Sequence, residues 1–124
     1  MITENFSILF PNEWQADQDE ETIIITDQDE ISILELTPLF PEKGSDISTL
    51  LDQLVDKDSK KVKIADYASH YHEFEEDDMF WREWVCEGKD FLLMLSHGSD
   101  IENRNMDDAM VDEILSTLII NMGD

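Results

Sequence analysis

Residues 72–84 read HEFEEDDMFWREW, with five acidic side chains among the six residues 73–78 and aromatic residues on both sides. Apolar and polar residues alternate before and after this acidic stretch, which predicts β-strands at 67–74 and 79–86. Two strands that are joined by only four residues, 75–78, pair as an antiparallel hairpin. The stretch therefore predicts a fold that is built on an antiparallel sheet.

The tip of this hairpin consists of four acids, Glu75, Glu76, Asp77 and Asp78. The simplest interpretation is a solvated turn, because charge at such a position blocks edge-to-edge aggregation. Two alternatives give the tip a function: a docking surface for a basic protein, or a metal site formed by the carboxylates. The docking interpretation assigns all four acids to partner binding.

Trp81 and Trp84 lie three residues apart in the second strand, so their side chains point to opposite faces of the sheet. If one face is open, one of these side chains lies beside the acidic tip, and aromatic side chains next to a charged rim are typical of protein interfaces. The docking interpretation therefore includes both tryptophans as partner-binding residues. The alternative is that a helix and a loop cover both faces.

The same patterns predict the other strands. They are expected at 6–10, 22–26, 31–36 and 91–96, with acidic turns at 17–21 (DQDEE) and 27–30 (DQDE). Pro38, Pro41 and Gly44 indicate a loop. Together with the hairpin, these segments predict a sheet of about six strands.

Two amphipathic segments predict helices at about 46–58 and 105–120, with Asp46 and Asn105 as N-caps. Their apolar stripes are expected to face the core. The stripes consist of Ile47, Leu50, Leu51, Leu54 and Val55 in the first helix, and of Met106, Met110, Val111, Ile114, Leu115 and Leu118 in the second. The length of 124 residues fits one domain, 1–124, so the fold class is α+β, an antiparallel sheet flanked by two main helices.

A group of lysines follows the first helix: Lys57, Lys60, Lys61 and Lys63. Cations at the C-terminal end of a helix interact favourably with its dipole, so these lysines are expected to stabilise that end. The alternative is a small cationic patch on a negative molecule.

The charge of the chain restricts its partners. There are 31 acidic and 8 basic residues, a net charge of −23, which disfavours nucleic acids and anionic membranes and attracts basic proteins. In the simplest interpretation, this charge only keeps the protein soluble. The sequence has no apolar run of membrane-spanning length and no secretory signal, and it has a single cysteine, Cys86. A cytoplasmic location is expected.

The sequence contains none of the common catalytic or nucleotide-binding motifs. We therefore expect no enzymatic activity, no catalytic residue and no cofactor. One alternative remains, a metal-binding or small hydrolytic protein that uses His70, His72 and His97, with Cys86 on a neighbouring strand. Imidazole and thiolate groups bind zinc where they converge.

Two segments carry a resemblance to a known family. FSILFPNEW at 6–14 resembles the opening strand of the Mog1/PsbP/DcrB-like superfamily, and residues 84–120, from WVCEGKD to ILSTLII, resemble its closing strand, loop and helix. Within this superfamily, the chain resembles a bacterial family of short acidic domains. The resemblance implies an antiparallel sheet flanked by helices and a non-enzymatic binding protein. Mog1-like members bind a small GTPase, PsbP-like members dock on photosystem subunits, and others are chaperone adaptors.

Three hypotheses on function follow. The first is a cytoplasmic protein-binding module, of the adaptor, chaperone or immunity type, whose acidic surface binds a basic protein. The second is the metal-binding or hydrolytic protein. The third is a domain whose charge serves solubility and which has no tight partner.

Overall fold

The computed structural model describes residues 2–29, 31–55 and 58–120. Its elements are β1 (Phe6–Ser7), β2 (Gln15–Asp19), β3 (Thr22–Thr26), β4 (Ser32–Leu39), α1 (Ile47–Leu54), β5 (Lys60–Ile64), β6 (Tyr67–Glu76), β7 (Met79–Glu87), β8 (Leu92–Asp100), a 3₁₀ turn (Ile101–Asn103), α2 (Asp108–Ser116) and β9 (Ile119–Ile120). Seven strands form one antiparallel sheet in the order β2-β3-β4-β8-β7-β6-β5, and β1 pairs with β9. The predicted α+β fold with two main helices is confirmed.

The β6–β7 hairpin is tighter than the sequence predicts. Glu75 and Glu76 belong to β6 and pair with Phe80 and Met79, so the turn consists of Asp77 and Asp78 alone. Both have positive φ angles, 54° and 64°. This is the geometry of a two-residue type I′ turn, whose twist matches that of the flanking strands, and aspartate tolerates it better than most residues.

The edge strand β2 was not predicted, and the internal strand β4 is longer than predicted. β2 occupies part of the expected turn at 17–21, because backbone pairing with β3 compensates for the low strand propensity of its acidic residues. β4 also extends beyond the predicted strand, through Pro38 to Leu39. The last β3–β4 pair is Ile23 with Leu36, so at Pro38 the strand pairs only with β8 and the missing N–H breaks no bond on the other side.

The lysines follow a different element from the one expected. α1 ends at Leu54, and Lys60, Lys61 and Lys63 lie on β5, the other edge of the sheet. The prediction that these three stabilise a helix end is therefore wrong. Lysines on an edge strand instead discourage pairing with another chain. Lys57, like the part of the predicted helix at 56–57, lies outside the described residues.

Helix α2 covers one face of the sheet. Its buried residues Val111, Ile114 and Leu115 pack in one cluster with strand residues that include Leu34 and Leu95. Each buried side chain of this size contributes roughly 1.5–3 kcal/mol. These contacts hold α2 on the sheet, and Leu118 just after the helix, 2 % exposed, joins the same cluster.

The predicted start of this helix is wrong. Asn105 has a φ of 69° and does not cap the helix, which begins at Asp108. Met106 therefore lies before the helix and is 64 % exposed, and Met110 is 37 % exposed. Met110 is about a quarter turn from the centre of the buried stripe. Neither methionine belongs to the core, contrary to prediction.

The second face of the sheet carries Val85 and Leu92, both buried. Helix α1 lies in the connection from β4 to β5. This connection crosses β8, β7 and β6 to reach the edge of the sheet. The predicted N-cap of α1 is confirmed, because the Asp46 carboxylate accepts a hydrogen bond of 3.0 Å from the backbone N–H of Thr49, which lowers the pKa of Asp46. Within the described ranges, no helix has the length and apolar character needed to cross a membrane.

Candidate functional site

One end of the sheet gathers the β6–β7 turn, the end of β8 with the 3₁₀ turn, and the β3–β4 turn. The register shows this, since Met79 pairs with Asp100, and Ser99 pairs with Ser32. Among the described residues, seven exposed acids lie on these adjacent turns and strand ends, here called the acidic end: Asp29, Glu75, Glu76, Asp77, Asp78, Asp100 and Glu102. The fold therefore brings acids from three separate parts of the sequence to one surface.

Among the described residues, one basic side chain is bonded to this surface. Arg104 donates a hydrogen bond of 3.3 Å from Nη1 to Oε1 of Glu75, and the two side chains are 51 % and 55 % exposed. Such an exposed pair contributes little energy. The acidic end remains strongly negative and open to water.

Two further acids at this end have structural roles. Asp27, 9 % exposed, accepts a hydrogen bond of 3.0 Å from the backbone N–H of Ser32. The Ser32 hydroxyl in turn donates a hydrogen bond of 2.6 Å to Asp107, just before α2. These bonds join the β3–β4 turn to the start of α2, so burial separates structural acids from exposed ones.

The two candidate tryptophans lie on opposite faces of the sheet and differ in burial. Trp84 is 4 % exposed on the face that α2 covers, so its assignment to a partner-binding surface is wrong. Trp81 is half-buried on the other face, where its ring is stacked with Phe74 at a centroid distance of 6.4 Å. It lies against Gly98, where an added Cβ would be 2.6 Å from the ring. Of the two, only Trp81 is placed to meet a partner near the acidic end.

A buried charged network lies beneath α2. Arg82 is 6 % exposed, and its guanidinium lies 4.8 Å from the ring centroid of Trp84. Its Nη1 donates a hydrogen bond of 3.0 Å to Asp112, and its Nε lies 3.4 Å from Asp108. A buried cation is stable only with such partners. The network therefore joins β7 to α2 through charge.

His97 completes this network. Its Nδ1 accepts a hydrogen bond of 3.2 Å from Nε of Arg82, so the neutral ring carries its proton on Nε2. Burial and the adjacent Arg82 charge lower the pKa of His97 to about 4. Burial also raises the pKa of Asp108. His97 is therefore uncharged at neutral pH.

Sequence reasoning missed this network, although two signals for it exist. Arg82 alternates with Trp84 and Cys86 on one face of β7, which is unusual for a charged residue beside core positions. Asp108 and Asp112 are four residues apart, so they share one face of α2. The pairing of β7 with α2 was needed to connect the two signals.

The proposed histidine cluster does not form. His97 pairs with Arg82 on one face, whereas His70 and His72 pair with Val85 and Glu83 on the other. Nε2 of His70 lies 3.2 Å from Glu87, and Nε2 of His72 lies 3.3 Å from Glu83. Across the described ranges, no group of three histidine, cysteine or acidic residues is arranged to hold a metal ion. The metal alternative is wrong in this form.

Cys86 is not placed to act as a nucleophile. It is 0 % exposed, and its Sγ accepts a hydrogen bond of 2.9 Å from the Ser69 hydroxyl. Burial raises the pKa of this thiol to about 11. A thiol of this kind stays protonated and makes a poor nucleophile at neutral pH.

No family model matches the chain, and no curated protein matches it. Solved structures with a similar fold include a crystal structure from Bacteroides thetaiotaomicron VPI-5482 (TM-score 0.69, 16% identity). They also include LpqN, involved in cell envelope biogenesis of Mycobacterium tuberculosis (0.64, 8%), and the cyanobacterial PsbP (CyanoP) from Synechocystis sp. PCC 6803 (0.61, 10%). Each likeness covers 93% of this chain.

The chain spans 44% of the Bacteroides protein, less than half its length, but 82% of LpqN and 86% of PsbP. At these identities the likeness concerns the fold alone. The order of elements and these neighbours agree with the resemblance of the opening and closing segments. The chain therefore has the same overall fold as the LpqN and PsbP (CyanoP) structures.

Proposed function

We propose that the chain is a non-enzymatic, cytoplasmic protein-binding module, of the adaptor, chaperone or immunity type, whose acidic end docks a basic protein. The observation that carries the proposal is the gathering of seven exposed acids on three adjacent turns at one end of the sheet. Half-buried Trp81, next to this end, supplies an aromatic contact. The superfamily resemblance, which implies non-enzymatic binding proteins, supports the same proposal.

Electrostatics determines the behaviour expected of such a surface. A cluster of negative charge accelerates the encounter with a positive partner, and salt weakens this steering because the Debye length falls to about 8 Å at physiological ionic strength. Exposed charges act on the association rate more than on the dissociation rate. Binding is therefore expected to be fast at low salt and to weaken as salt is raised.

The test compares two variants with the same change in charge. One carries Glu75→Gln, Glu76→Gln, Asp77→Asn and Asp78→Asn at the acidic end. The other carries Asp17→Asn, Asp19→Asn, Glu20→Gln and Glu21→Gln on β2 and its turn, at the opposite end of the sheet. Each variant and the wild type serve as tagged bait in a lysate of the source organism, followed by a salt wash.

We expect the wild type and the β2 variant to retain one basic protein that salt releases, and the acidic-end variant to lose it. Equal recovery by both variants would show that overall charge, rather than the acidic end, is responsible. An empty wild-type bait under gentle washing would contradict the proposal and favour a domain whose charge serves solubility alone.

A further inference from the structure

Helix α2 borders an apolar groove on its outer side. The groove has a volume of about 270 Å³, and its walls are formed by Leu9 to Pro11 after β1 and by Met110 and Ile114 of α2, with Glu113 at the rim. Leu9 is 68 % exposed and Met110 is 37 % exposed. These are large apolar side chains that face water in a strongly charged protein.

The wall of the groove is fastened in place. The backbone N–H of Leu9 donates a hydrogen bond of 2.9 Å to the Thr117 hydroxyl, which itself donates a hydrogen bond of 2.7 Å to the carbonyl of Ile114. Leu9 is therefore held against the end of α2 while its side chain remains exposed. Exposed apolar groups that are rigidly presented beside charged residues are characteristic of interaction sites.

We propose that this groove holds the apolar side of a basic amphipathic segment of the protein partner, an inference that rests on the proposed function for the basic character of that partner. Charge complementarity selects this occupant: Glu113 is exposed beside the apolar walls, and the chain carries a net charge of −23. Apolar side chains of the segment fill the groove, and its lysines and arginines meet Glu113 and the acidic end.

The position of the groove extends the acidic end. Helix α2 starts at the acidic end, where Asp107 is bonded to Ser32, and Met106, 64 % exposed, precedes it. A segment that docks on the acidic end and continues along α2 reaches Met106 and then Met110. Methionine side chains are flexible and polarizable, and they adapt to different apolar surfaces.

The size of the groove favours an anchoring side chain over a metabolite. Pockets for whole small molecules usually measure about 300–1,000 Å³ and enclose most of the ligand. The groove is smaller, and one wall is a single short stretch of chain. It suits one or two large apolar side chains of a helix, which recur at positions i, i+3 or i+4.

The test uses a fluorescein-labelled synthetic helix that has leucines on one face and lysines on the other, with binding followed by fluorescence anisotropy. The variant Leu9→Ser with Met110→Ser removes the apolar walls. Its control is Ile2→Ser with Phe40→Ser, because these residues are 84 % and 52 % exposed and lie outside the groove. Circular dichroism and thermal melting establish that each variant is folded.

We expect the groove variant to bind the peptide roughly tenfold more weakly than the wild type, about the effect of losing 1.4 kcal/mol of contact, while the control binds as the wild type does. A second peptide, with glutamine in place of leucine, should bind the groove variant and the wild type equally. Equal binding of the leucine peptide by groove variant and wild type would overturn the inference, as would no binding of it at all.

The acidic-end variant described above separates this inference from the proposed function. If only the groove variant weakens binding, the groove is a docking site and the role of the acidic end is wrong. If only the acidic-end variant weakens binding, the groove inference is wrong and the proposed function stands.

Discussion

Carboxylates in two regions of this molecule have opposite effects on the folded state. Asp108 and Asp112 contact the guanidinium of Arg82, which is 6 % exposed between β7 and α2. At the acidic end, seven exposed acids stand on neighbouring turns, and the one ion pair there among the described residues joins Arg104 to Glu75. The chemical group is the same, and its surroundings differ.

The difference shows how a chain with so many acids can fold and still present a binding surface. Where a carboxylate faces a buried cation, removal of either partner leaves an uncompensated charge, so the pair holds α2 in register. Where carboxylates face water and each other, they repel and cost stability, but they remain free to meet a partner. Burial of the cation, rather than the number of acids, decides which role a carboxylate has.

The largest expected effect comes from Arg82→Leu, which breaks the buried network. Loss of one partner of a buried ion pair costs about 3–5 kcal/mol. Asp108 and Asp112 are 28 % and 61 % exposed and can be rehydrated, so we expect the lower end, about 3 kcal/mol. Urea unfolding measures the change. A loss below about 1 kcal/mol, the level of a surface pair, would contradict the distinction between the two regions.

The next effect concerns His97 and depends on pH. Burial and the Arg82 charge lower the pKa of His97 from 6.5 to about 4 in the folded state, so the unfolded chain binds the proton more readily. Its contribution to stability is present above pH 6.5, declines as the pH falls, and is lost below pH 4. Between pH 7 and pH 5 the loss should be about 2 kcal/mol.

The variant His97→Gln isolates the pH-dependent contribution of His97, because all other titratable groups are present in both proteins. Urea unfolding gives the free energy of unfolding of wild type and variant at pH 7 and pH 5. The loss between the two pH values is then compared between the two proteins. Asp108 and Asp112 face Arg82 in both proteins, so their contribution is common to the two sides of the comparison to first order. Identical pH profiles for the two proteins would show that His97 is not held neutral by its surroundings.

A smaller and opposite effect is expected at the acidic end. The variant with Glu75→Gln, Glu76→Gln, Asp77→Asn and Asp78→Asn removes four neighbouring charges and keeps residues that the turn tolerates. We expect it to be more stable than the wild type by about 1 kcal/mol at low salt, because like charges on a hairpin repel. The gain should vanish near half-molar salt, where repulsion is screened. A gain in stability that persists at high salt would mean that the new side chains favour the turn conformation, and that charge repulsion is not the cause.

Local periodicity was sufficient to predict the hairpin at 72–84, the α+β class and the buried positions Val111, Ile114 and Leu115. It was insufficient for β2 and β5, whose strand form depends on pairing with β3 and β6 rather than on their own residues. The start of α2 was also misplaced, which moved Met106 and Met110 from the core to the surface.

The candidate site was predicted in the same uneven way. The acids 75–78 are contiguous and could be recognised, whereas Asp29, Asp100 and Glu102 join them only through strand order. The Arg82 network required both the face of β7 and the position of α2. Interactions between residues distant in sequence are what a single sequence leaves undetermined, and both regions compared here depend on them.

The smallest expected effect is that of Arg104→Met, the counterpart of Arg82→Leu. Arg104 and Glu75 are both about half exposed, and such pairs contribute less than about 0.5 kcal/mol because water and salt screen them. We expect the free energy of unfolding, measured in urea, to change by no more than that amount. The variant also leaves the acidic end one charge more negative, so its association with a basic partner should become faster at low salt. A loss of stability near that of Arg82→Leu would mean that the two regions do not differ in kind.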